Sequence, residues 1–227
     1  MRIYLVTPTY NRIDRLKQAF ESVRAQTYED FTWLVIDDGS NVELNEFGFL
    51  FEDERVRLVH ICHGGVNAAR IMGLSVIREK DAIIIEHGDN DLLAPRCVEH
   101  IKRAFDEQDA DAVYGDHEVI DADGEVRARI FKPDYRPGLF RDGNIACGIS
   151  AYSLAVARSA GGWRMNDWPG GDYSLFLRME NMGVKFVCIP KKLGQVRVEP
   201  KSISVTFWPE QIAASNRYRE LAVEGML

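Results

Sequence analysis

"IYLVTPTYNRIDRLKQAFESVRAQTYEDFTWLVIDDGS", Ile3 to Ser40, is the stretch on which the fold turns. Its apolar, β-branched opening predicts a strand over Ile3–Thr7. Ile13–Gln26 then sets Leu16, Ala19, Phe20 and Val23 on one helical face, and "FTWLVIDD" predicts a second strand. A strand, a covering helix and a second strand at this spacing make the repeating unit of a parallel sheet.

The pattern continues outward through strand "RVRLVHI", helix "VNAARIMGLSVIREK", strand "AIII" and helix "PRCVEHIKRAFDEQ". Pro95 stands where a helix accepts proline, at its first position. The second half differs. "DHEVIDADGEVRARIF" predicts a hairpin turned at Asp123-Gly124, and Pro133 to Gly171 reads as a long irregular, substrate-shaping or plain loop. "DYSLFLRMENMG" predicts a helix closed by Gly183, "VKFVCIP" a strand, and Pro209–Glu224 a terminal helix packed on the body or on a second subunit. The expected class is α/β, a mostly parallel central sheet flanked by helices with a smaller antiparallel or irregular half.

Composition narrows the function. Hydrophobic residues at 46% and charged ones at 28% mark a globular chain, and 28 basic against 35 acidic residues leave a net charge of −7. That balance argues against a nucleic-acid partner, which selects a basic face. The N-terminus has no signal-peptide pattern and no run approaches a membrane span. Cys62, Cys97, Cys147 and Cys188 are scattered without a C-x-x-C pair, as free thiols in a reducing, cytoplasmic compartment would be.

Ligands of open α/β sheets bind at the carboxyl ends of the parallel strands. Three such ends are polar: Thr7-Pro8-Thr9-Tyr10-Asn11-Arg12, Asp37-Asp38-Gly39-Ser40 and His87-Gly88-Asp89-Asn90-Asp91. Each alone is compatible with a turn or a cap. Together they predict that Asp37, Asp38, Asp89 and Asp91 meet in one cleft, where crowded carboxylates call for a cation. Mg²⁺ or Mn²⁺ shared with phosphate oxygens would supply it. "HGGVNAAR" is a weak phosphate-loop signal, and Arg70 behind it reads either as a phosphate or aspartate contact or as a surface ion pair.

These residues resemble glycosyltransferase family 2, enzymes of the GT-A fold. The resemblance runs from Ile3 to about Ser204 through "VTPTYNRIDRLKQAFESVRAQTYEDFTWLVIDDGS", "GVNAARIMGL", "GDNDLLAP", "DAVYGD", "GGW", "GDYSLFLRM", "VKFVCIP" and "VRVEPKSIS". It implies one GT-A domain over residues 1–227: a nucleotide-sugar half (1–115), an acceptor-side half (116–208) and a C-terminal helix (209–227). It also implies inverting, metal-dependent transfer of a sugar from a nucleotide diphosphate sugar, UDP foremost, to a hydroxyl of a glycan or lipid-linked acceptor. Such an acceptor would put the protein at the membrane face, and a homodimer is a further expectation.

Residue by residue, the resemblance implies that Thr7, Pro8, Thr9, Tyr10 and Arg12 line the base and ribose, that Asp38 meets the uracil edge, and that Arg70 faces the donor. Asp89 and Asn90 belong to the donor site, with Asp91 and Asp89 as ligands of Mn²⁺ or Mg²⁺. Asp172 matches the catalytic base, although an acid there also suits the first turn of a helix. Trp168, Gly170 and Gly171 fall on the acceptor side, where Trp163 and Tyr173 also flank Asp172; Trp168 reads as a sugar platform or as packing.

The chain departs from the family in three places. Gly88 and Asn90 stand where acids are usual, Gly171 replaces a glutamate, and Glu199 replaces a histidine in Val196-Arg197-Val198-Glu199-Pro200-Lys201-Ser202. Glu199 then reads as a substitute metal ligand or as an exposed residue. The departures motivate an alternative, an inactive family member that binds a nucleotide sugar or glycan. A nucleotidyltransferase and a Rossmann dehydrogenase are disfavoured, since "TPTYNR" lacks the glycine-rich loop both require.

Overall fold

Alternating side chains along β1 (Arg2–Thr9) build both layers of the core. Ile3 and Leu5 enter one apolar cluster while Tyr4 and Val6 enter the other, on the opposite face of the sheet. In the computed structural model, which describes residues 1–200 and 202–227, β1 pairs in parallel with β2 (Thr32–Asp37) and with β4 (Ala82–Glu86), and β2 with β3 (Val56–His60). α1 (Ile13–Arg24) buries Leu16, Ala19, Phe20 and Val23, the four residues its periodicity picks out. α2 (Val66–Ser75) covers the other face.

α2 is shorter than its sequence suggests. It stops at Ser75, whose hydroxyl donates to the Met72 carbonyl, and the chain then turns Ile77 into the core. Pro95 is also displaced. It lies before α3 (Cys97–Gln108) rather than at the first helical position. Gln26 explains how that helix starts without a cap of its own. Its side-chain oxygen accepts from the Val98 amide at 3.1 Å and its amide donates to the Ala94 carbonyl at 2.9 Å.

The larger correction lies in the segment read as a loop. It contains β8 (Ser150–Ser153), which sits between β4 and β6 (Ala112–Ile120), antiparallel to both, and joins the two halves into one sheet. Ser153 then caps α4 (Leu154–Ser159). Four residues are too few for a period to show, and "SAYS" carries no β-branched residue to mark it. The strand order is β3-β2-β1-β4-β8-β6-β9-β5, where β9 spans Phe186–Arg197 and β5 (Leu92–Leu93) lies at one edge. β7 (Val126–Ile130) pairs with β6 in the expected hairpin. β9 (Phe186–Arg197) runs parallel to β6 and beyond its predicted end, because a register shift lets it pass Pro190.

α5 (Gly171–Asn181) ends before Gly183, whose φ is +75°. After the short α6 (Ile203–Thr206), α7 (Trp208–Val223) packs on α5. Tyr218 and Ala222 are its buried residues, and the Tyr218 hydroxyl reaches the Pro169 carbonyl. The tail therefore packs on the body. Among the described residues no helix is long and apolar enough to cross a membrane.

Candidate active site

Parallel register aligns the polar strand ends. Thr9 stands opposite Asp37, and the ladder continues one step beyond as the Asp38 amide donates to the Thr9 carbonyl at 2.9 Å. On the other side of β1 the His87 amide donates to Val6. Thr7 faces inward, linking the Trp33 indole at 2.8 Å to His87 Nδ1 at 2.9 Å. Burial lowers the His87 pKa to about 4, so its ring is neutral and serves as a post beneath the Asp89-Asn90-Asp91 turn. Pro8 is part of the β1 ladder.

The four acids do not form one unpaired cluster. Asp37 holds the Ser40 amide and His60 Nδ1, the latter at 2.5 Å. Asp38 takes the amides of Gly64 and Gly65, both at 2.8 Å, and His63 at 2.9 Å. Their carboxylates thus face backbone donors after β2 and before α2 and the imidazoles of His60 and His63. Tyr10 stacks on His63 with ring centres 4.2 Å apart, so an aromatic plane borders Asp38.

Asp89 and Asp91 form the other pair. Thr9 donates its hydroxyl to Asp89 at 2.9 Å, and the Arg197 amide donates to Asp91 at 2.9 Å. Burial raises both carboxyls to about 6, with Arg12 opposing it at Asp89 and the Arg197 amide at Asp91. Asn90 is a framework residue. Its carbonyl accepts from the Arg197 guanidinium, which also holds Asp121, Ala122 and Gln18. At Gly88 a Cβ would stand 2.7 Å from Asp91 Oδ2, so a larger residue there would require the Asp91 carboxylate to shift.

A basic partner for this turn comes from elsewhere in the chain. Arg12 Nη1 lies 3.6 Å from Asp89 Oδ1 and 3.7 Å from Glu199 Oε1, and Arg15 binds the other Glu199 oxygen at 2.7 Å. Glu199 is therefore neither exposed nor unpartnered, while its neighbour Lys201 lies outside the described residues. A sign of this was present in the sequence, since Arg12 and Arg15 lie three residues apart on one side of a helix start.

On the far side, Asp172 occupies the first turn of α5, after the left-handed Gly170. Asn144, from the connection leading to β8, donates its amide to Asp172 Oδ2 at 2.8 Å. Gly171 is small by necessity, because a Cβ would come within 2.9 Å of the Trp163 ring and 3.1 Å of Asn67. The glutamate usual there has no room.

Trp163 belongs to a buried network that sequence reading missed. Its indole donates to Glu86 at 3.1 Å and to Tyr152 at 2.9 Å, and the Tyr152 hydroxyl itself binds Glu86. Arg70 completes it, 3.1 Å from Glu86 and stacked 4.5 Å above the Trp163 ring. Arg70 is thus ion-paired, but to a buried acid within this network rather than at the surface. An acid closing the apolar run "AIIIE" was the available signal, since a buried carboxylate requires partners. Trp163 and Tyr173 are core residues, whereas Trp168 is 41% exposed and meets Phe207 edge-on.

The donor chemistry suits a hard divalent ion in part. Among the described residues no three His, Cys, Asp or Glu side chains form a metal-holding group. Asp89 and Asp91 offer the one or two carboxylates with which Mg²⁺ or Mn²⁺ is bound when phosphate oxygens complete its shell.

Comparison with known proteins agrees with this architecture. The sequence is 28% identical over 168 residues to Glycosyltransferase GlyG of Streptococcus pneumoniae, covering 72% of this chain and 52% of that protein. It is 28% identical over 231 residues to the uncharacterized protein y4gI of Sinorhizobium fredii, covering 98% of this chain and 24% of that one. The chain thus spans about half or less of these curated relatives. The fold matches S. aureus TarS 1-349 in complex with UDP-GlcNAc at a TM-score of 0.79 and 12% identity, over 98% of this chain and 66% of that one. With UDP the same protein matches at 0.77 and 13%, over 98% and 65%. The family described as Glycosyl transferase family 2 matches residues 4–160, and the fold is of the GT-A type: the chain belongs to glycosyl transferase family 2.

Proposed function

We propose that the protein transfers a sugar from a nucleoside diphosphate sugar, a UDP-sugar foremost, to a hydroxyl of a glycan or lipid-linked acceptor, with inversion at the anomeric carbon. One observation carries the reading: Asp172 is held by Asn144 through a single oxygen, Oδ2, at the amino end of α5. An amide that donates and cannot itself take the proton keeps the carboxylate oriented and leaves Oδ1 for an acceptor hydroxyl. Asp172 then removes the hydroxyl proton as the oxygen attacks from the face opposite the departing diphosphate. A positioned base of this kind contributes about 100- to 10,000-fold.

On the donor side, Tyr10 offers a plane for the base, Asp38 borders it, and Thr7, Pro8, Thr9 and Asn90 hold the strand ends in register. Arg70 reaches the donor only by leaving Glu86 in part. Asp89 and Asp91 would hold Mn²⁺ or Mg²⁺, which when bound supplies charge neutralisation to the diphosphate leaving group. Trp168, beside Gly170 and Gly171, is the exposed aromatic face for an acceptor sugar. A cytoplasmic protein working at the membrane face accords with a lipid-linked acceptor.

Calorimetric titration with UDP, GDP, CDP and TDP, each with Mn²⁺ and again with EDTA, tests the donor side. The expected result is metal-dependent binding of one nucleotide, UDP. Gly88, Asn90 and Gly171 favour one second reading, a family member that binds a glycan or nucleotide sugar without turnover. UDP binding with no transfer from any UDP-sugar would select it.

A further inference from the structure

The connection between α4 and α5, residues 160–170, carries Trp163 and Trp168 just ahead of Asp172 in the chain. One buried arginine ties this connection to α5. Arg178 is 4% exposed. Its Nη1 donates to the Ala160 carbonyl, and its Nη2 donates to the Gly162 carbonyl at 2.8 Å and to Asp167 Oδ2 at 3.2 Å. All three acceptors lie in the one connection. The Ser174 hydroxyl donates to the same Asp167 oxygen at 2.7 Å, and Asp167 is itself buried. Burial lowers the Arg178 pKa to about 10, so the side chain is still a cation at neutral pH. Among the described residues its Nε has no hydrogen-bond partner. A buried ion pair with an unmet donor is a poor way to stabilise a core, and an apolar side chain of similar volume would pack as well. What the guanidinium adds is geometry, since one planar fork fixes two carbonyls and a carboxylate together.

The two tryptophans are held differently. Trp163 has partners of its own in Glu86 and Tyr152, so it keeps its place without help from α5. Trp168 sits outside the core, 41% exposed and edge-on to Phe207 at 5.5 Å. Its place is set by its neighbours in the chain. Asp167 before it is clamped by Arg178 and Ser174, and the carbonyl of Pro169 after it accepts from Tyr218 at 3.5 Å. Asp172, Ser174 and Arg178 all lie on α5. The helix that carries the proposed base therefore also fixes the loop beside it. We infer that Arg178, with Ser174 and through Asp167, is a positioning residue that sets the Trp168 face relative to Asp172, and so the angle at which an acceptor sugar is presented to the base. The inference rests on the reading of Asp172 as base and Trp168 as acceptor platform, and adds to it the device that holds the two in register. A misplacement of about 1 Å can cost a reaction about a hundredfold, so a clamp that touches no substrate still governs transfer.

The whole protein labelled with 5-fluorotryptophan gives a fluorine resonance for each of its four tryptophans, and Trp168→Phe identifies one of them. Spectra are compared for the wild type, Arg178→Lys and Ser174→Ala. Lysine keeps a charge opposite Asp167 but has no fork to span the carboxylate and the two carbonyls. Arg178→Lys should shift or broaden the Trp168 resonance while those of Trp33 and Trp163 stay, and UDP affinity by calorimetry should be unchanged. Ser174→Ala removes one of the two donors to Asp167 and should move the same resonance less. Methyl glycosides of glucose, galactose and N-acetylglucosamine serve as acceptor probes. At least one should perturb the wild-type Trp168 resonance, and Arg178→Lys should need about tenfold more of it for the same effect. A Trp168 resonance unmoved in both variants overturns the inference. So does a change spread over all four resonances or a loss of UDP binding, since either would make Arg178 a support of the fold at large. If Arg178→Lys does not fold, Ser174→Ala decides alone. If the Trp168 resonance moves in the variants but no glycoside perturbs it in the wild type, the acceptor-platform reading falls, and the role in transfer with it, while the clamp on Trp168 stands.

Discussion

Asp172 and Asn144 come from different elements and meet across one hydrogen bond. Replacing Asp172 by Asn keeps the size and the helix turn but removes the proton acceptor. Asp172→Asn should lower transfer by about 100- to 10,000-fold while UDP affinity changes little. Transfer at the parent rate would refute the assignment of the base. Part of this site was legible beforehand. An acid in the first turn of an amphipathic helix and a D-x-D at a strand end are local patterns, and Asp172, Asp89 and Asp91 all occupy the elements foreseen for them. Asn144 was not legible, because nothing within a few residues of it shows that the connection to β8 returns to the start of α5. Glu199 was legible as a departure but not as a partner, since its arginines lie some 185 positions earlier in the chain.

At the scale of an element, the turn after β4 carries two buried acids whose pKa is raised to about 6, largely by burial. The sign follows from linkage. A carboxyl at about 6 in the folded chain and at its ordinary 3.8 in the unfolded one binds more protons when folded. Its contribution is therefore complete below 3.8 and is lost as pH rises towards 6. Asp91→Asn, which keeps the acceptor for the Arg197 amide, should stabilise the metal-free protein above pH 6 by up to about 3 kcal/mol, with the gap closing towards pH 4. Urea midpoints in EDTA at pH 4.5 and 7.5 measure it. Equal gaps at the two values would mean that Asp91 titrates normally. The same variant should bind UDP without regard to Mn²⁺.

For the whole molecule, the donor edge is assembled from β1, β2, β4 and the end of β9, so ligand binding should be felt globally. At a UDP and Mn²⁺ concentration about a hundredfold above Kd, stabilisation is about 2.7 kcal/mol, or about 5–10 °C in Tm for a chain of this size. A scan in UDP and Mn²⁺ against UDP and EDTA reads it, and coincident curves would argue that the edge does not bind the pair. The parallel half was readable because each strand and helix carries its own period over enough residues to show, as Leu16, Ala19, Phe20 and Val23 do. The polar strand ends were readable for a related reason: parallel strands must finish on one side of a sheet. The central strand β8 was hidden by its length and composition, and the pairing of Arg12 with Asp89 and Glu199 by its range. Chain-local physics, periodicity and turn chemistry, determines which segments become strands and helices and where their ends point. Which of those ends shares a charge with which is settled by contacts between residues far apart in the chain, because a carboxylate taken from water accepts whichever donor the packed sheet brings to it.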